Sequence, residues 1–186
     1  MKLWLLVVLL LAALALPGAE DAGKIMRPAD RSALPSDQVD IAATAPKGRL
    51  QLDGKPVEAE QPFPDVFHAR VKAAPGLHAL TLLWDGGKQE VRFFTGPDPP
   101  AGFQAFRQHP PLADVACAQC HELSKRGRFR FKGGCFDCHQ ASAFAKPHTH
   151  QPDVLKECGM CHNAHGSTVK AHLLQSKEAA CKLCHA

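Results

Sequence analysis

Beyond its first sixteen residues this sequence has no long apolar run. The opening MKLWLLVVLLLAALALPGAE places Lys2 ahead of an apolar stretch from Leu3 to Leu16, with small residues after it. That stretch falls short of the ~17–25 residues a spanning helix needs. It reads as a secretory signal peptide over 1–19, cleaved after Ala19. No cysteine stands near the cleavage point, which argues against a bacterial lipid anchor. The expectation is an exported chain, periplasmic or extracellular, with no transmembrane anchor after cleavage.

Cysteine is missing from the first 116 residues, and all eight lie between Cys117 and Cys184. In an exported chain that number would ordinarily suggest four disulfides. The spacing argues otherwise. The cysteines occur as CAQCH (117–121), CFDCH (135–139), CGMCH (158–162) and CKLCH (181–185), with none left over. Zinc ribbons and thioredoxin-like sites also use C-x-x-C, but neither needs a histidine directly after the second cysteine. Covalent attachment of c-type haem does: two thiols add to the vinyl groups and the adjacent histidine lies under the iron. Cys117, Cys120, Cys135, Cys138, Cys158, Cys161, Cys181 and Cys184 are therefore the expected anchors of four haems c. His121, His139, His162 and His185 are the expected proximal ligands.

Methionine is the third scarcity. Met1 leaves with the signal, Met26 is far upstream and Met160 sits inside a motif, so histidine is the expected sixth ligand. His68 and His78 fall in a strand-like region and are read as surface residues. Five candidates remain for four irons: His109, His148, His150, His165 and, as the spare, His172. His109-Pro110-Pro111 before Cys117 and His150-Gln151-Pro152 before Cys158 share the pattern H-x-P-x5-C-x-x-C-H, so 109–139 and 150–185 read as two duplicated di-haem units. That equivalence favours His109 and His150. His162 and His165 are three apart and would share a helix face, so His165 should reach a neighbouring haem. His148 would need a bend between it and His150 to serve a different iron. His172 reads as a surface histidine on a helix-like stretch.

The segment HTHQPDVLKECGMCHNAHGSTVKAHLLQSKEAACKLCH resembles the doubled-CXXCH module of bacterial multihaem c-type cytochromes. H-x-P, C-x-x-C-H-x-x-H-G and a Leu-Leu pair before the next motif carry the likeness. The first unit departs from it: ELSKRGRFR follows His121, with no His-Gly, which makes His148 matter as a ligand. The resemblance covers 109–185 and implies periplasmic or extracellular electron transfer.

The expected fold class is α+β and multidomain. A small antiparallel β-sandwich-like domain, with an immunoglobulin-like sandwich as candidate, covers 26–96. A linker follows over 97–108, then a loop-rich, short-helix tetrahaem cytochrome c domain over 109–186. Helix-like stretches fall at 112–122, 153–163 and 171–184, with no conventional apolar core. In the upstream half, LPSDQVDIAA reads as an edge strand, Asp53-Gly54 and Asp85-Gly86-Gly87 as turns, and Ala74-Pro75-Gly76 as the turn of a hairpin. From Arg107 onward 11 Lys/Arg face 6 Asp/Glu, a balance of +5. The basic run KRGRFRFK reads as a strand-like excursion near haem carboxylates rather than a nucleic-acid site.

These readings converge on an electron carrier, not an enzyme, that exchanges electrons with redox partner proteins. Two alternatives differ in class. One is a haem reductase with an open iron. The other is a subunit of a haem-wire filament or larger redox complex.

Overall fold

The structure is a computed structural model, which describes residues 23–109, 116–140, 142, 150 and 157–185 of the 186-residue chain. The signal-like segment and His148 lie outside the described residues. The described residues are mostly β-strand with a few short helices.

Ten strands build the upstream part: β1 (Lys24–Arg27), β2 (Ser32–Leu34), β3 (Gln38–Thr44), β4 (Arg49–Leu52), β5 (Lys55–Val57), β6 (Glu60–Phe63), β7 (Val66–Lys72), β8 (Gly76–Trp84), β9 (Gly87–Thr95) and β10 (Gln104–Ala105). They form a four-stranded sheet in the order β1-β3-β7-β6 and a six-stranded sheet in the order β10-β2-β9-β8-β4-β5. Alternating apolar side chains from both sheets meet between them. Val39, Ile41, Leu80, Leu82 and Phe93 are essentially inaccessible there.

Local turn chemistry explains two of the hairpins. β4 and β5 pair through Leu52 and Lys55, leaving Asp53-Gly54 as a two-residue turn with φ of 51° and 76°. Both central residues are left-handed, the conformation that twists with the strands and that Asp-Gly tolerates. β8 and β9 turn at Asp85-Gly86 in the same two-residue fashion.

Four expectations are corrected. Ala74-Pro75-Gly76 is not a hairpin turn: β7 pairs with β3 and β6, β8 with β9 and β4, so the chain crosses between sheets there. β3 is an interior strand, not an edge, and both of its faces are covered. His78 lies on the same face as Leu80 and Leu82, where its Nδ1 meets Asp53 Oδ2 at 2.7 Å and its Nε2 meets the Ala74 carbonyl at 2.7 Å. It clasps the crossover, and Leu77 takes the outward position. Finally, the stretch expected as linker is partly fold. Gln104–Ala105 adds a parallel strand beside β2, and Phe106 is buried in the core.

Downstream, regular structure is sparse. β11 (His121–Leu123) and β12 (Phe129–Phe131) make a small hairpin; helical turns cover Cys117–Gln119, Cys135–Cys138, Cys158–Met160, Lys170–His172 and Lys177–Cys181. Where the expected helices at 112–122, 153–163 and 171–184 fall on described residues, only these short turns are helical; 112–115 and 153–156 lie outside the described residues. Among the described residues no apolar side chain after Phe106 is buried, while Leu123, Phe131, Phe136, Met160, Leu174 and Leu183 are exposed. No described helix is long and apolar enough to cross a membrane.

Candidate haem-binding site

The outer face of the four-stranded sheet is where the two parts of the chain meet. Strand alternation sends Asp40 of β3 and His68 and Arg70 of β7 to that face, away from Ile41 and Ala69. Asp40 accepts from Gln108 Nε2 at 2.8 Å and lies 3.3 Å from His68 Nε2, 3.5 Å from Arg70 Nε and 3.7 Å from Arg27 Nη2. Burial pushes the Asp40 carboxyl up, but His68, Arg27 and Arg70 outweigh it and hold it below the usual carboxylate range. On the face read as solvent-exposed, Arg70 and Lys72 are exposed, while His68 is half-buried.

A cavity of about 820 Å³ lies between this sheet and the β11–β12 hairpin. Its lining includes Arg27, Phe67, Cys117, His121, Phe129 and His165. The hairpin explains how His121 is set. Cys120 N–H closes the Cys117–Gln119 turn on the Cys117 carbonyl, and His121 then begins β11 opposite Phe131. Phe129 stacks on the His121 ring at 4.7 Å and 19°, with Phe131 at its edge.

His165 faces His121 from a different motif. Their ring centroids are 5.8 Å apart and their planes 14° from parallel. The next two residues fix His165 in place. Ser167 exchanges two backbone hydrogen bonds with Arg107, and its Oγ donates to the Leu173 carbonyl at 2.6 Å. Gly166 has φ of +112°, and a Cβ there would stand 2.6 Å from the Phe106 ring and 2.8 Å from the Arg107 carbonyl. Only glycine lets the loop pass so near. Burial pushes His165 down to about 4, with Arg27, His121 and Lys24 adding to the effect, so the imidazole is neutral near pH 7.

Two further pairs are formed. His109 Nε2 lies 3.5 Å from His139 Nε2, and the His150 and His185 rings are 6.1 Å apart. His162 differs: its Nδ1 is 2.8 Å from the Ala171 carbonyl, and among the described residues no second imidazole faces it. His172 is not the surface residue expected; its ring lies 5.5 Å from that of His109, in a turn where it and Ala171 have left-handed backbones. Burial first, then His172 and His139, pushes His109 down as well.

None of the eight cysteines is in a disulfide. Burial pushes the thiols of Cys120 and Cys135 up, which disfavours the thiolate that a redox pair needs. The Cys135 and Cys158 side chains are hydrogen-bonded, and a Cβ at Gly134 would stand 4.0 Å from Cys120 Sγ, so neighbouring motifs lie side by side. Among the described residues no three of His, Cys, Asp or Glu converge as a metal cage. The imidazoles come together as His121 with His165, His109 with His139 and His172, and His150 with His185. Paired imidazoles, adjacent thiols, a ligand-sized cavity and exposed apolar side chains fit a large apolar group held covalently by its edge and axially at its centre. Haem c is such a group. Arg27, Asp40, His68 and Gln108 were invisible to motif reasoning, because they belong to strands and a linker that carry no ligand pattern.

Residues 150–186 match the family model of the doubled CXXCH motif. That match supports a c-type cytochrome-like, haem-binding protein with covalent haem c and a role in electron transfer. No curated protein matches in sequence. Among solved structures, an FMN-binding β-glucuronidase from Facaelibacterium prausnitzii L2-6 is similar at TM-score 0.35 and 18% identity over 44% of this chain, and a polysaccharide lyase at TM-score 0.35 and 10% identity over 42%. The chain spans 13% and 12% of their lengths.

Proposed function

We propose that this chain is an exported tetrahaem c-type cytochrome that carries single electrons between redox partner proteins and catalyses no reaction of its own. The observation that carries the reading is the opposition of histidines: His121 with His165, His139 with His109, His185 with His150. In each pair one member follows a C-x-x-C and the other comes from elsewhere in the chain. His148 is assigned to the iron of His162, with His172 as the spare. Bound haem supplies reversible one-electron chemistry at iron. The paired histidines would hold the irons, burial keeps His165 neutral, and the Ala171 carbonyl fixes the His162 ring through its Nδ1. Two histidines on every iron leave no position for substrate, which favours a carrier over an enzyme.

Expression with a cytochrome-maturation system, followed by intact mass, tests this. Four covalent haems and full, reversible reduction are expected; fewer than four, or none, contradicts the reading. A second reading rests on His162. If its iron keeps an open position, a high-spin fraction appears in the oxidised spectrum and the protein becomes a candidate haem reductase.

A further inference from the structure

Among the described residues Arg27 is the one buried cation, with its side chain 5% exposed. It lies in the cavity wall with Cys117, His121 and His165. Its Nη2 faces Asp40 at 3.7 Å, while Nε and Nη1 have no hydrogen-bond partner among the described residues. Asp40 divides its two oxygens among Arg27, His68, Arg70 and Gln108, so it offsets Arg27 only in part. Asp65 is at the cavity rim, but it is exposed and accepts from the Lys47 backbone N–H. Structurally this arrangement is unfavourable, because a buried guanidinium with unmet donors is costly. A site whose charge falls by one unit in use changes that judgement.

We propose that Arg27 is a positioning charge for electrons: it raises the reduction potential of the haem attached at Cys117 and Cys120 above those of the other haems. The inference rests on the tetrahaem reading above. One electron passes from the haem of the second motif, which is oxidised, to that of the first, which goes from ferric to ferrous. No bond forms or breaks and no proton moves. A Cβ at Gly134, the residue before the second motif, would stand 4.0 Å from Cys120 Sγ, which puts donor and acceptor side by side. The added electron is attracted by a fixed cation across an apolar, low-dielectric wall that includes Phe67 and Phe129, where screening is weak. The β-sandwich supplies that charge, so it acts as an electrostatic lid that makes the haem beneath it the electron sink of the chain.

Optical redox titration of the haem-loaded protein tests this, comparing wild type with Arg27→Gln, Arg27→Lys and Asp40→Asn. Arg27→Gln is expected to lower one component of the titration and leave the rest. Arg27→Lys keeps that component near its wild-type position. Asp40→Asn removes the opposing charge and moves the same component upward, a direction that loosened packing does not predict. A Cys117→Ala/Cys120→Ala variant should lack the highest component. The inference is overturned if the charge variants, at full haem loading, leave every component in place or shift all of them together. It is also overturned if the component lost with Cys117 and Cys120 is not the highest. Wild-type protein without four haems would instead overturn the tetrahaem reading, and intact mass reports that separately.

Discussion

The side-chain amide of Gln108 donates to Asp40 at 2.8 Å, and the next residue, His109, faces His139 at 3.5 Å. A β-strand carboxylate thereby fixes the approach of a histidine that opposes a haem-motif histidine. The β-sandwich and the cysteine-bearing segment are joined by this contact, by the Arg107–Ser167 backbone bridge and by the shared cavity. A domain that carries no ligand motif thus shapes the surroundings of the paired histidines.

Gln108→Ala leaves one oxygen of the buried Asp40 without its amide donor. The expected cost is about 1.5–3 kcal/mol, the range for a hydrogen bond to a charged group. Denaturant unfolding of the haem-loaded protein measures it, and Gln108→Glu should cost more, since it sets a second carboxylate against Asp40.

Asp40 also gives a signed pH dependence. Its folded-state pKa is lowered, so its contribution to stability is fully present above the unfolded value of about 4 and is lost as pH falls through the lower folded value. Thermal melts of wild type should fall in this acid window. Asp40→Asn should be less stable at neutral pH and should lack that part of the decline.

Gly166→Ala adds a Cβ against Phe106 and Arg107 at a positive φ. A destabilisation of about 1–3 kcal/mol is expected from the backbone strain alone. Because His165 precedes it, the same variant should displace the imidazole facing His121 and produce a high-spin signal from one haem. A melt together with an oxidised spectrum checks both effects.

His165→Ala should open one iron and only one. Carbon monoxide should then bind the reduced variant at about a quarter of its haems, whereas the wild type with all positions filled should bind none.

The sequence exposed those features whose chemistry is local. C-x-x-C-H names its cofactor because two thiols and an axial ligand must sit within five residues of one another, and Asp53-Gly54 names its turn because both residues need a left-handed backbone. Pairing across sheets is not local, so Ala74-Pro75-Gly76 looked like a hairpin turn although β7 and β8 belong to different sheets. For His68 the alternation was read correctly, but what covers its face was not, since that depends on where the β11–β12 hairpin lands. Arg27 had no signal at all. It stands between Met26 and Pro28 in a segment without pattern, and only the folded sheet sets it beside His165.

Low-temperature electron paramagnetic resonance of the fully oxidised protein, with near-infrared magnetic circular dichroism to identify the axial ligands, tests the opposed-histidine account most directly. Four low-spin irons, each with two imidazole ligands, are predicted. A methionine-ligated iron, or any high-spin iron in the wild-type protein, would contradict it.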